Sequence, residues 1–195
     1  MKDIIKLSLT LMIYAAIAGL LLGFIYTKTK PKIDEQARQE REQAIKEVMP
    51  AGAVAFEEMK LSNGLVITVG YGDDTKTRPV GYSAMAYAGG FSSTINTMVG
   101  ITTDFKVNAI KVISQQETPG LGTHTQDEWF QKQFAGRTEN DLLVDKDGGT
   151  VKSITGATIS TRAVTNSIKQ LIAHLKSVES ELPHFTEPEP GDSAI

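Results

Sequence analysis

The chain contains no cysteine. That absence excludes disulfides, thiol nucleophiles, Cys-type zinc sites and iron–sulfur clusters held by thiolates, so any redox chemistry has to come from a borrowed organic cofactor. An excess of one charge is missing too. The 20 Lys and Arg residues stand against 23 Asp and Glu, for a formal charge of −3 with no long basic block, and this argues against a nucleic-acid partner. Histidine is scarce, with 3 residues in 195, and His124, His174 and His184 share no metal-ligand spacing, so no metal site is expected. The lack of cysteine does not fix the compartment, because a domain of this size needs no disulfide staples.

What is present begins with one long apolar run. From Leu7 to Tyr26 the sequence carries no charge, and about 20 residues at a 1.5 Å rise span roughly 30 Å of hydrocarbon. The run exceeds the apolar core of a cleavable signal and no A-x-A-like site follows it, so residues 7–26 are expected to form one transmembrane helix after a short flank at 1–6. Gly19 and Gly23 have the spacing of close helix contacts. Lys2 and Lys6 on one side balance Lys28, Lys30 and Lys32 on the other, so the positive-inside rule leaves the orientation undecided.

Residues 27–50 read as a linker and an amphipathic helix. Pro31 is admissible in a first helical turn, and Ile33, Ala37, Ala44, Ile45 and Val48 then recur at helical spacing, with Asp34–Arg38 and Glu42–Lys46 as i,i+4 pairs. This predicts a stalk, or alternatively a docking face for a neighbouring subunit. Residues 51–182 are expected to form one domain. From Leu61 to Ser114 short β-rich runs, LVITV, VGYSAMAYA, INTMVGI and VNAIKVIS, alternate with Gly-, Asn- and Asp-containing turns, which predicts an antiparallel sheet. Trp129, Phe130 and Phe134 predict a short helix. Val164, Ile168, Leu171, Ile172, Leu175 and Val178 form one stripe of a core-packed helix. The expected class is therefore α+β. Residues 183–195, rich in proline and acid, predict a disordered tail.

Two stretches hold the candidate chemistry. SITGATIST, Ser153 to Thr161, crowds five hydroxyls around Gly156 and Ala157 at a helix start. The free N–H groups there favour a phosphate, but Ser and Thr also satisfy such groups as ordinary caps, and both readings are open. Glu117-Thr118-Pro119-Gly120-Leu121-Gly122 reads as a rigid turn in which proline fixes φ and the glycines allow positive φ or close approach. Arg162, a cation in the first turn of a helix, is unfavourable there unless an anion lies nearby; it either pairs with a bound phosphate or is solvated.

TGAT followed by ISTRAV resembles the flavin-attachment motif of the FMN-binding domain family. Together with ETPGLG, VGYSAMAYAGGF and MVGITTD in the same order, it resembles the G subunits of Rnf electron transport complexes, from the apolar run through about Leu175. The C subunit of the sodium-pumping NADH:quinone reductase shares these motifs but is usually longer. The resemblance implies FMN joined covalently to Thr158 through a phosphodiester, installed by a flavin transferase with FAD as donor. Thr155, Gly156, Ala157, Glu117, Thr118, Gly120, Leu121, Gly122 and Arg162 are then candidate cofactor contacts, and no residue of the chain is expected to be catalytic. It further implies an electron carrier working with other membrane and redox subunits, its domain on the periplasmic or extracellular side of the cell membrane. The other classes open to the sequence are an anchored module that binds a phosphate-bearing ligand without covalent attachment and a purely structural subunit. Lys152 stands where the family usually has Asp, and Ser92 and Ser93 where it often has glycine; Asp145 or Asp147 substitutes for that acid only if the intervening loop folds back.

Overall fold

A computed structural model describes residues 2–183; all of the tail expected at 183–195 except Pro183, and with it His184, lies outside the described residues. The chain divides into two compact units, Met1–Glu40 and Arg41–Ile195. Helix α1 runs from Lys2 to Val48 without interruption, and it contains a stretch long and apolar enough to cross a membrane.

Pro31 lies inside this helix, so it does not open a second helix as the sequence predicted. Its missing N–H leaves the Thr27 carbonyl without its helical donor, at a cost of about 3 kcal/mol. Cooperative turns on both sides carry the helix through, and Lys30 bridges the site to Asp34 at 2.7 Å. The apolar face expected over residues 33–48 is confined to the last turns: Ile33 is 53% exposed, whereas Ala44 and Val48 are buried.

The second unit is built on a five-stranded antiparallel meander in the order β1-β2-β3-β4-β5. Its strands are β1 Ala55–Lys60, β2 Val66–Tyr71, β3 Pro79–Gly89, β4 Thr94–Thr102 and β5 Val107–Ser114. Four match the β-rich runs. The first, AFEEMK, is an edge strand whose Glu57 and Glu58 are exposed, and charge on an edge blunts pairing with other chains.

Alternation along β4 divides two apolar clusters between the faces of the sheet. Ile95, Val99 and Ile101 join the main core, which helix α3, Thr158–Lys176, completes with Val164, Ile168, Leu171, Ile172 and Leu175. Helix α2, Glu128–Gln131, and the 3-10 turn after it bury Phe130 and Phe134, whose rings meet edge-on at 5.3 Å. Met98 turns the other way, to Ala44 and Val48. On that face the chain leaving α1 lies directly on sheet backbone. A Cβ at Gly100 would fall 1.8 Å from the Val48 carbonyl oxygen, and one at Gly81 would fall 2.6 Å from the Pro50 ring. Asn108 Nδ2 also donates to the Val48 carbonyl at 2.8 Å.

Candidate functional site

The stretch 153–161 is positioned by the elements on either side of it. Val151 pairs with Val144 in an isolated parallel bridge, and the Val164–Leu175 stripe pins α3 to the core, so the connecting turn stands between that bridge and the helix start. Gly156 takes φ +78° there, a left-handed conformation that favours glycine. Its open side faces Leu121 of the ETPGLG turn, 2.9 Å from where a Cβ would stand. The two candidate stretches therefore meet.

Of the five hydroxyls, three are engaged. Ser153 Oγ donates to Asp145 at 2.5 Å. Ser160 Oγ donates to Glu117 at 2.6 Å. Thr161 Oγ1 accepts from the Ile154 N–H and donates to the Ala157 carbonyl. Thr155 and Thr158 make no side-chain hydrogen bond among the described residues. The helix cap is Ala157, which has no side-chain oxygen to offer, so the first N–H groups of α3 are not capped by any of these alcohols. The capping explanation of the hydroxyl cluster does not describe this turn.

Thr158 lines a cleft of about 340 Å³ together with Phe91, Glu117, Thr118, Leu121 and Ile159, among others. That volume suits a small-molecule ring system. Phe91 is 70% exposed and Ile159 52% exposed, so the cleft has an apolar mouth. Gly122, Gly156, Ala157 and Ser160 complete the lining.

Glu117 is the one ionisable side chain among the residues lining this cleft, and it is buried. Its Oε1 accepts from the Ser92 and Ser93 N–H groups and the Ser93 hydroxyl, and its Oε2 from the Phe91 N–H and the Ser160 hydroxyl, all between 2.6 and 3.0 Å. Burial alone would push the carboxyl up; the Ser160 hydroxyl, the Ser92 and Phe91 amides and the Ser93 hydroxyl outweigh it and hold it down at about 2. Two glycines make room for this carboxylate: a Cβ at Gly90 would meet its Oε1 at 2.5 Å and one at Gly122 its Cβ at 2.6 Å. Within ETPGLG the glycines thus divide the work, Gly120 supplying φ +74° and Gly122 the close approach.

Arg162 does not line the cleft. Its Nε and a terminal nitrogen grip Asp147 at 2.8 and 2.6 Å, and this pair holds the Asp147 carboxyl below its usual range. Asp145 reaches the other end of the stretch, accepting from the Ser153 N–H and hydroxyl. The loop at 145–147 therefore folds back over residues 153–162, while Lys152 is exposed. His124 pairs with Asp127 at 2.8 Å.

Ser160, Phe91 and Ile159 were not singled out by sequence. Ser160 could have been: it stands four residues before Val164 and eight before Ile168, a polar residue in line with the buried stripe, and such a residue needs a buried partner. Phe91 and Ile159 carry no comparable signal, because isolated exposed apolar residues are ordinary.

Comparisons with known proteins give the family and the fold. Residues 90–173 match the FMN-binding domain and residues 1–48 the RnfG N-terminal region. The chain is 30% identical over 183 residues to a Methanosarcina acetivorans protein named as the G subunit of an ion-translocating oxidoreductase complex, covering 91% of this chain and 97% of that one. It is 33% identical over 203 residues to the Salmonella typhimurium protein of the same name, covering 95% and 98%. Among solved structures, NqrC of Shewanella oneidensis shares the fold at a TM-score of 0.50 and 17% identity, over 67% of this chain and 71% of that one.

Proposed function

Because the chain belongs to the family of G subunits of ion-translocating oxidoreductase complexes, we propose that it is a membrane-anchored electron carrier whose FMN is esterified to Thr158. The observation that carries this reading is the unengaged Thr158 hydroxyl, in an apolar-mouthed cleft at an uncapped helix start. In attachment, the Thr158 Oγ1–H bond breaks and an Oγ1–P bond forms to the FMN phosphate of FAD. The pyrophosphate P–O bond of FAD would break at the FMN phosphorus, AMP leaving with the bridging oxygen and its own phosphate, and the proton would pass to the flavin transferase.

The cleft residues fit such a group. The first N–H groups of α3 and its partial positive charge favour the phosphate. Phe91, Leu121 and Ile159 offer apolar contact to a ring, and Thr118 a hydroxyl at its edge. Bound FMN supplies electron transfer; the chain positions it and tunes it. Gly156 and Ala157 keep the approach to Thr158 open, and Gly120 and Gly122 shape the opposite wall. Asp145 and Asp147, folded onto the attachment stretch, supply the acidic character that position 152 lacks in this chain. Arg162 is committed to Asp147 and acts on the phosphate only by exchanging partners.

The carrier works between other redox and membrane subunits of a complex, each relative being named as one subunit of an ion-translocating oxidoreductase complex, and its domain lies on the periplasmic or extracellular side. Protease added to sealed, right-side-out vesicles should digest the domain; protection there refutes the placement.

Attachment is tested by co-expressing the full chain with a flavin transferase and measuring intact mass and in-gel fluorescence after denaturation. Thr158→Ala should remove both the added mass of FMN less water and the fluorescence, and Thr155→Ala should leave both. A ligand lost on denaturation of the unaltered chain would instead favour a module that holds a phosphate-bearing molecule non-covalently. No flavin in either state would favour a structural subunit.

A further inference from the structure

Glu117 accepts five hydrogen bonds, and every donor is neutral. A protonated carboxyl would itself be a donor and could not accept them all, so the group is an anion, buried, with no cation against it among the described residues. The structure spends two glycines, Gly90 and Gly122, on seating it. A Gln amide would accept at one oxygen only and turn an N–H donor toward the other donors, so a carboxylate alone takes all five. This uncompensated charge lies among the residues that line the same cleft as Thr158, where it would act on any group held there.

We propose that Glu117 is a positioning and tuning residue that holds a fixed negative charge beside the flavin and so lowers its reduction potential. The inference rests on the reading that FMN is carried on Thr158. Reduction adds two electrons and one proton to the oxidised ring and leaves it anionic, or two electrons and two protons and leaves it neutral, with the electrons coming from a neighbouring redox subunit. A nearby anion in a poorly solvated setting opposes that gain of negative charge. The same carboxylate fixes the 91–93 loop and the first turn of α3, so charge and geometry are set by one side chain.

The test is a reductive titration of the full flavinylated chain with dithionite and an indicator dye, for the unaltered protein and for Glu117→Gln, Glu117→Asp and Ser93→Ala. Ser93→Ala removes one hydroxyl donor to Glu117 and leaves the charge. Glu117→Gln should shift the reduction equilibrium at least tenfold toward the reduced flavin, about 30 mV for a two-electron couple. Glu117→Asp and Ser93→Ala should shift it less than threefold. If Glu117→Gln does not fold, the unaltered chain decides: its potential should steepen upward as pH falls from 4 toward 2 and the carboxylate protonates, a flat response counting against the proposal, with no inflection between pH 4 and 5.5. An inflection there, a flavinylated Glu117→Gln with an unmoved potential, or equal shifts in Glu117→Gln and Ser93→Ala would overturn the proposal. Intact mass is read first, and absence of FMN from the unaltered chain defeats the attachment reading itself, whereas a flavinylated chain with an unmoved potential defeats only the role of Glu117.

Discussion

The two faces of the sheet are both completed by a helix, and they use opposite means. On the α3 face, contact is made by side chains: Val164, Ile168 and Ile172 fill the space above β3 and β4, and the Ser160 and Thr165 hydroxyls enter with partners. On the other face, the end of α1 is received by missing side chains, with the Val48 carbonyl and the Pro50 ring lying on Gly100 and Gly81. The first arrangement tolerates adjustment, since rotamers can move. The second has no slack, because backbone meets backbone. The face that bears the candidate cleft is thus built adaptably, and the face that receives the helix exit is keyed.

The largest effect that breaks this comparison should come from the keyed face. A Cβ at Gly100 collides with the Val48 carbonyl at 1.8 Å, and neither backbone can yield without parting α1's last turn from the sheet. Gly100→Ala should cost about 3 kcal/mol, the upper end of overpacking penalties. Gly89→Ala, on the same sheet with nothing within 4 Å of its Cβ, should stay within about 0.5 kcal/mol. Denaturant midpoints of the two variants check the contrast, and equal midpoints would show that the seat is not rigid.

An acid titration should give the next effect, on the α3 face. Glu117 has its ordinary value of 4.5 when unfolded and about 2 when folded, so its contribution is fully present above pH 4.5 and is lost as pH falls toward 2. At about 1.4 kcal/mol per pH unit the gap limits the loss to roughly 3 kcal/mol, and residual structure in the unfolded chain brings the observed figure lower. Stability curves for the unaltered chain and Glu117→Gln should converge as pH drops through that window. Parallel curves would mean that the carboxylate is not held by its five donors.

This division also explains what the sequence made legible. The α3 stripe and four strands are readable because burial selects apolar residues at a fixed period, which leaves a positive mark. The Gly100 seat leaves none: a glycine next to a β-branched residue looks the same whether or not a carbonyl lies on it. The edge strand Ala55–Lys60 escaped because its two glutamates mask the alternation. Within the site, Thr158 and Glu117 are visible as residue types in a motif, yet the partners that give Glu117 its meaning lie 24 to 26 residues before it and 43 after it. No local pattern encodes such a meeting.

The smallest effect concerns Arg162, where the α3 face meets solvent. Its pair with Asp147 has good bidentate geometry, but the side chains are 42% and 37% exposed, and exposed pairs contribute up to about 1 kcal/mol. A double-mutant cycle with Arg162→Ala and Asp147→Ala should therefore show a stability coupling below about 1 kcal/mol. The informative readout is attachment: a cation whose only task is to hold the 145–147 loop should affect flavin incorporation in the same measure as Asp147 does. If Arg162→Ala lowers incorporation while Asp147→Ala leaves it unchanged or raises it, the guanidinium serves the phosphate once released from its partner. The pair is then a latch on the attachment turn, and the adaptable face holds one more movable charge than its apolar stripe implies.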